Sequence, residues 1–334
     1  MEGRRKEDGL SMQRLLPFFL SNLVMVDSAA EVIAAMGRGE VSAKSVEDEY
    51  VNGVYEEIAG HFSATRHTPW PRIAAFMESI PAGSLTADVG CGNGKYLPLN
   101  AGRSFNIGSD RSANLVSICR GRGGLESLVA DNLVLPFRSA AFDCAISIAV
   151  IHHFSSPHRR LLAVTELCRI VRPGGRILIY VWALEQDSKK FKEPDNFVSW
   201  TLQPQFAAAS SSPSAPSSSS SSGANKKAAK KTRKSKTADD ATSLHSQRQQ
   251  EQQHQQKQQG SSSSSSTPTQ LPENKRGEPG GEEPRPSSEP VVYQRFYHVF
   301  RKGELEELLQ ESGMATIVDS GYDHENWFVV AQRL

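Results

Sequence analysis

Cysteine is scarce in this 334-residue chain: there are only four, and Cys91, Cys119, Cys144 and Cys168 stand at no metal-ligand spacing. That excludes a secreted disulfide scaffold and an intrinsic zinc site. Long apolar runs are also missing. The most apolar stretch near the N-terminus, Leu15 to Val26, falls well short of the roughly 20 residues that cross a bilayer, and Glu7 and Asp8 ahead of it do not suit a presequence. Nor does one sign of charge dominate, since 38 Lys and Arg face 37 Asp and Glu for a net charge of +1. A uniformly basic nucleic-acid binder is thereby excluded. The expectation is a soluble, cytoplasmic protein with no membrane association, a nuclear location also being open.

The near-neutral total hides a split. Residues 201–290 carry 12 Lys and Arg against 8 Asp and Glu, set among Ser, Gln, Pro and Gly with almost no large apolar side chains. Such a segment buries too little apolar surface to offset roughly 1 to 2 kcal/mol of backbone entropy per ordered residue. It reads as a disordered, low-complexity insertion. Within it, Lys226, Lys227, Lys230, Lys231, Arg233, Lys234 and Lys236 form a basic cluster with no acid, either a solvated or nuclear-localisation-like tract or a tether for phosphates. Residues 1–45 read as a weakly ordered leader.

Elsewhere the pattern is regular. Apolar residues at helical spacing mark Val51 to Arg66 and Trp70 to Ile80, with a break at Pro69 and Pro71. From Thr86, short β-rich runs (86–90, 106–110, 127–131, 143–149 and 176–183) alternate with helical ones (113–122 and 158–171). This alternation predicts βαβ units and a mostly parallel sheet with helices on both faces, a Rossmann-like α/β fold. After residue 290 a helix, 302–312, and two strands, 315–319 and 326–334, return to the same sheet through a GYDHE connection. One domain thus spans 46–200 and 291–334, with the insertion inside it.

Three strand ends carry the chemistry. The first strand runs into Asp88-Val89-Gly90-Cys91-Gly92-Asn93-Gly94-Lys95, whose glycines permit a tight turn and close approach of a ligand to the main chain. The third glycine of a dinucleotide fingerprint is replaced by Lys95, and no phosphate-loop GK[ST] follows. Asp88 is instead placed to accept from a cationic amino group. Asp110, beside Arg111, ends the second strand as an acceptor for two ribose hydroxyls. Asp131 and Asn132 end the third, able to meet an adenine edge. Together with Ala149 after the fourth strand, these residues describe a site for S-adenosylmethionine.

The chain resembles the class I methyltransferase family that acts on the wobble uridine of tRNA, seen in the methyltransferase part of the AlkB-homologue fusion enzyme of animals and in its stand-alone fungal relative. The resemblance rests on VYEEIAGHFSATRHTPWP (54–71), ADVGCGNGKYL (87–97), GSDRS (108–112), ISIAVIHHF (146–154), RPGGRILIYVWALEQ (172–186) and RFYHVFRKGEL (295–305). It implies a seven-stranded sheet, tRNA as substrate and transfer of a methyl group to a 5-carboxymethyl group. It also implies a small zinc-binding activator subunit that pairs its strand with the sheet edge. The alternatives are a catalytically silent regulatory paralogue and a small-molecule carboxyl methyltransferase.

A carboxylate substrate is ionised at neutral pH, so its methylation needs positioning and charge handling more than a general base. The candidates to hold it are Arg66, His152, His153, Arg295 and His298, with Tyr297 as a hydroxyl donor. Trp182, Glu185 and Gln186 border the expected nucleotide pocket, and Trp70 and Trp200 read as packing residues. Phe197 to Trp200 reads as a loop.

Overall fold

A computed structural model of the chain describes residues 29–207 and 290–334. The rest of the expected leader, most of the low-complexity insertion and its lysine cluster lie outside the described residues. Residues up to Ser42 and residues Ala43–Leu334 form two compact units. Of the first, the described part is one helix, α1 (Ala29–Gly37), followed by an exposed Arg38–Glu40 ion pair.

The second unit is built on a seven-stranded sheet. In chain order its strands are β1 (Leu85–Val89), β2 (Phe105–Asp110), β3 (Glu126–Val129), β4 (Phe142–Ile148), β5 (Val171–Trp182), β8 (Ala315–Asp323) and β9 (Asn326–Arg333), lying side by side as β3-β2-β1-β4-β5-β9-β8. The first five are mutually parallel, and β9 runs antiparallel between β5 and β8. The order reverses beside β1, so the carboxyl ends of β1, β2 and β4 open onto a crevice where such sheets bind ligands.

Each connecting helix begins on a local signal. Ser112 caps α5 (Ala113–Gly121) by accepting from Leu115 N–H. Ser156 does the same for α6 (Pro157–Ile170), with Pro157 in the first turn. The central strands bury both faces. Ala145, Ile177, Ile179 and Val181 pack with Ala163, Val164 and Leu167 of α6 on one side. On the other, Ile146, Leu178 and Tyr180 meet Ile73, Phe76 and Met77 of α4 (Pro71–Glu78).

The two helices expected before the first strand are α3 (Gly53–Ala64) and α4, and α2 (Ala43–Glu47) and a π turn (Asp48–Asn52) precede α3. Two expectations need correcting. β8 continues past Asp319 to Asp323, and the GYDHE connection shrinks to His324 and Glu325, both at positive φ (50° and 61°). That is the left-handed geometry of a two-residue hairpin turn, reached here without glycine. Phe197 to Trp200 is not a loop. It belongs to β6 (Asp195–Leu202), which pairs antiparallel with β7 (Val291–His298) from Asp195↔His298 to Leu202↔Val291. A short helix, α7 (Pro204–Ala207), follows β6. The residues around the insertion are thus the two strands of one hairpin, and Trp200 and Leu202 pack it onto Val54 and Ile58 of α3. A last helix, α8 (Glu304–Glu311), precedes β8. Among the described residues no helix is long and apolar enough to cross a membrane.

Candidate active site

A cleft of about 260 Å³ opens at the carboxyl end of the sheet, roofed by α2, α3 and β7. Its floor is the glycine loop. Gly90 has φ 81°, and a Cβ there would lie 2.3 Å from the Val150 side chain, so no other residue fits without displacing it. The Gly90 and Cys91 N–H groups both donate to Ser109 C=O, at 2.7 and 2.9 Å. Gly92 N–H donates to Asp110 Oδ2 at 2.8 Å, and Ser112 N–H to Asp110 Oδ1 at 2.9 Å. Each Asp110 oxygen therefore accepts one backbone donor and keeps a lone pair for a ligand hydroxyl. Burial raises the Asp110 pKa, and those backbone hydrogen bonds act against the rise.

Asp88 does not line this cleft. It lies buried beneath the loop with one carboxylate oxygen unpartnered. Burial, with Cys119 and Asp110 nearby, pushes its pKa up to about 8. Asp131 does line the cleft, but its carboxylate is engaged by Arg111 at 2.5 Å and by Leu133 N–H at 2.9 Å. The unengaged polar atom at this edge is Asn132 Oδ1, which is buried and has no partner. Ala149 adopts φ 62°, a strained conformation for a residue with a Cβ, held by its N–H on Tyr180 C=O at 2.9 Å. An orphaned acceptor, two half-used carboxylate oxygens and a loop that only glycine can make fit the adenosine, ribose and amino-acid parts of S-adenosylmethionine.

At the other end stands Arg295 on β7, buried and facing the cleft. Its Nη1 donates to the Tyr297 hydroxyl at 2.8 Å, and its plane lies 4.7 Å from the Trp200 ring. Among the described residues no carboxylate pairs with it, and its Nε has no partner. The Tyr297 hydroxyl is therefore not free to donate to a substrate as expected. It accepts from Arg295 and bonds the Tyr55 hydroxyl at 3.1 Å, and Tyr55 in turn meets His153 Nε2 at 3.1 Å. His153 Nδ1 completes the series on Phe296 C=O at 3.0 Å, which makes Nδ1 the protonated nitrogen and Nε2 the acceptor of the Tyr55 proton. Burial pushes the His153 pKa down to about 3, so the ring is neutral.

His152 also lines the cleft as a neutral ring, burial and its cationic neighbours holding its pKa well below the usual value. Trp182 N–H donates to its Nδ1 at 3.0 Å, leaving Nε2 as the N–H donor. Arg66 reaches the cleft from the end of α3, between Phe62 and Trp200. Trp70 packs against Tyr180 as expected and also forms part of the wall, while Trp200 is buried behind Arg295.

His298 is not at the site. It alternates off the cleft face of β7 and is held between Asp195 and Glu304, at 2.6 and 2.7 Å. Glu185 is spent on Trp327 Nε1 and Lys302 N–H, and neither it nor Gln186 lines the cleft. Trp182 does, but Tyr297 stacks on it with centroids 4.3 Å apart while Lys189 Nζ sits 4.2 Å from the ring centre. Tyr55 and Lys189 were not legible beforehand: a tyrosine within a helical run and a lysine within a charged one carry no signal of their own.

The sequence matches known proteins. A family model described as a methyltransferase domain covers residues 87–179, from within β1 into β5. A fission yeast protein, the tRNA (carboxymethyluridine(34)-5-O)-methyltransferase of Schizosaccharomyces pombe, is 36% identical over 292 residues, which take in 86% of this chain and 97% of that one. The chain belongs to this family of methyltransferases. The Arabidopsis thaliana member of the same name is 45% identical, over 87% of this chain and 82% of its own length. The Xenopus tropicalis member, named tRNA (carboxymethyluridine(34)-5-O)-methyltransferase alkbh8, is 46% identical over 89% of this chain. The chain spans less than half the length of that and two other vertebrate family members, at 42%, 48% and 45%.

Proposed function

We propose that this chain transfers a methyl group from S-adenosylmethionine to the carboxylate of 5-carboxymethyluridine at the wobble position of tRNA, forming the 5-methoxycarbonylmethyl ester. The observation that carries this reading is Arg295, a buried guanidinium with no acidic partner among the described residues and an unused Nε–H, facing the cleft opposite the Asp110 loop. A buried charge of this kind costs several kcal/mol unless an opposite charge joins it, and a planar carboxylate matches its fork of donors.

The cofactor supplies an electrophilic methyl group on a sulfonium. The chain's residues do the rest. Asp110 and Asn132 hold the ribose and adenine, Arg295 and Arg66 bind and neutralise the incoming carboxylate, and the His152 Nε2–H offers it a neutral donor. No residue need remove a proton, because the carboxylate arrives ionised. The neutral state of both histidines accords with that.

An activator subunit is part of the proposal. β3 is a free sheet edge of four residues, with Val129 and the neighbouring Phe105 more than half exposed. Such an edge offers unpaired backbone groups to a partner strand. The test is methyl transfer from labelled cofactor to tRNA bearing 5-carboxymethyluridine, with and without the small zinc-binding subunit. Ester formation is expected. Silence in both conditions alongside intact cofactor binding would move the chain to the regulatory or small-molecule alternatives.

A further inference from the structure

Lys189 is a cation that rests on an aromatic ring. It lies half-buried in the segment after β5, and among the described residues it makes no ion pair or hydrogen bond. Its Nζ instead rests 4.2 Å from the centre of the Trp182 ring. Tyr297 is stacked on the same indole at 4.3 Å and 17°, so the two must occupy opposite faces. Trp182 lines the cleft, Tyr297 is tied to Arg295, and Lys189 is thereby one aromatic ring away from the proposed carboxylate grip.

The surrounding charges make this placement costly. Burial first, then the Arg295 and Arg66 charges, lower the Lys189 pKa to about 8, while Glu325, committed to Ser188 through both carboxylate oxygens, acts in the other direction. Two cations, Lys189 and Arg295, resting on the Trp182 and Tyr297 rings with no ion pair among the described residues, store repulsion that an anion relieves. A lysine can leave its ring to meet that anion, because its four-carbon stem is flexible and its ammonium is a point charge with three donors. A cation–indole contact is comparable in strength to a charge-assisted hydrogen bond to a carboxylate, so an arriving anion can draw the ammonium off the ring.

We propose that Lys189 is a specificity-determining residue of the substrate pocket, which leaves the Trp182 face to pair with the carboxylate of the incoming carboxymethylated base alongside Arg295. This rests on the function proposed above. It also assigns the indole face to the base: the ring that Lys189 vacates becomes available for stacking.

The test compares two anticodon stem-loops, identical except for 5-carboxymethyluridine or plain uridine at the wobble position, binding to the full chain in the presence of the demethylated cofactor. Wild type is expected to prefer the carboxylated loop. Lys189→Met, which keeps an unbranched apolar stem over the indole, should lose about tenfold of that preference while its cofactor affinity and melting temperature stay unchanged. Lys189→Arg should keep most of it. A preference unaltered in Lys189→Met overturns the proposal. Equal weakening toward both loops overturns it too, since that is the behaviour of a phosphate contact. Absence of any preference in wild type removes the substrate reading itself and the Lys189 role with it, an outcome distinct from the other two.

Discussion

Arg295 and Tyr297 sit two residues apart on one face of β7, and the guanidinium donates to the phenol across 2.8 Å. The bond aims the cation without neutralising it. The strand fixes the backbone, Trp200 supports the guanidinium plane, and Tyr297 fixes its rotation, so a full positive charge is presented to the cleft. That arrangement suits the anionic ligand proposed above.

Removing the charge should separate binding from folding. Arg295→Met is expected to lower kcat/KM for carboxylated tRNA by about 100-fold or more, the scale of losing one preorganised charge contact. Cofactor affinity should not change, and the melting temperature should hold or rise, because the side chain buries a charge that no described acid compensates. Steady-state kinetics, calorimetric cofactor titration and thermal melts check the three parts. Retained activity removes Arg295 from the substrate site.

Asp110 anchors the opposite end. Its two oxygens hold Gly92 and Ser112 N–H, so Asp110→Ala takes away both the proposed ribose acceptor and a tie that shapes the loop. Cofactor affinity is expected to fall by well over tenfold, since a charge-assisted hydrogen bond contributes about 1.5 to 3 kcal/mol. An unchanged dissociation constant by calorimetry would sink the assignment.

Tyr55 links His153 to the Arg295–Tyr297 pair through one hydroxyl. Tyr55→Phe keeps the ring, including its edge contacts with Phe62 and His153, and removes only that link. The expected result is a drop of about tenfold in kcat/KM through misdirected Tyr297 and Arg295, with cofactor affinity intact. An activity equal to wild type would show that the strand alone directs Arg295.

The parallel sheet was readable because its strands are short apolar runs punctuated by glycine and acid, and because each strand pairs with a close neighbour in the chain. β6 was not. Its partner lies beyond a long polar segment, and Phe197 to Trp200 taken alone resembles loop. The signal that could have exposed it is period two: Val198, Trp200 and Leu202 are buried while Ser199 is exposed. Site legibility divided the same way. The acids at strand ends follow from topology, and the structure brings Asp110, Asn132 and Ala149 to the cleft. His298 shared the strand of Arg295 and Tyr297, but three residues from Arg295 it has the opposite parity and faces away. Asp88 was misplaced for a related reason, since the residue before a glycine loop supports it from beneath. Lys189 and Tyr55 needed tertiary contacts to be seen.

The pairing of Leu202 with Val291 bears on the low-complexity stretch. If residues 208–289 contribute only a connection, replacing them with a short Gly/Ser linker leaves the hairpin register intact. It also shortens the loop to be closed, and each halving returns about 0.6 kcal/mol. The shortened protein is expected to be soluble, to melt at or above the wild-type temperature and to bind cofactor normally. An insoluble or destabilised product would place the stretch within the fold. Weaker tRNA binding that becomes insensitive to salt would assign the lysine cluster to phosphate contacts.

His298 supplies a pH test of the fold apart from the cleft. Burial lowers its pKa, but hydrogen bonds to Asp195 and Glu304 outweigh burial and leave it raised above the ordinary value of about 6.5. Burial likewise raises the Glu304 pKa, while its bond to His298 brings it below the usual range, so Glu304 is ionised wherever His298 titrates. A folded-state pKa above the unfolded one means that the imidazolium stabilises the fold fully below about pH 6.5, and that this stability is lost as pH rises through the folded pKa. His298→Gln keeps hydrogen-bonding groups and lacks the charge. The melting-temperature gap between wild type and this variant should therefore be widest below about pH 6.5 and close as the pH rises through the folded pKa, with cofactor affinity at pH 7.5 unaffected. A gap that widens with pH would mean that the ring is neutral between its two carboxylates and that the clasp joining β6, β7 and α8 is not ionic.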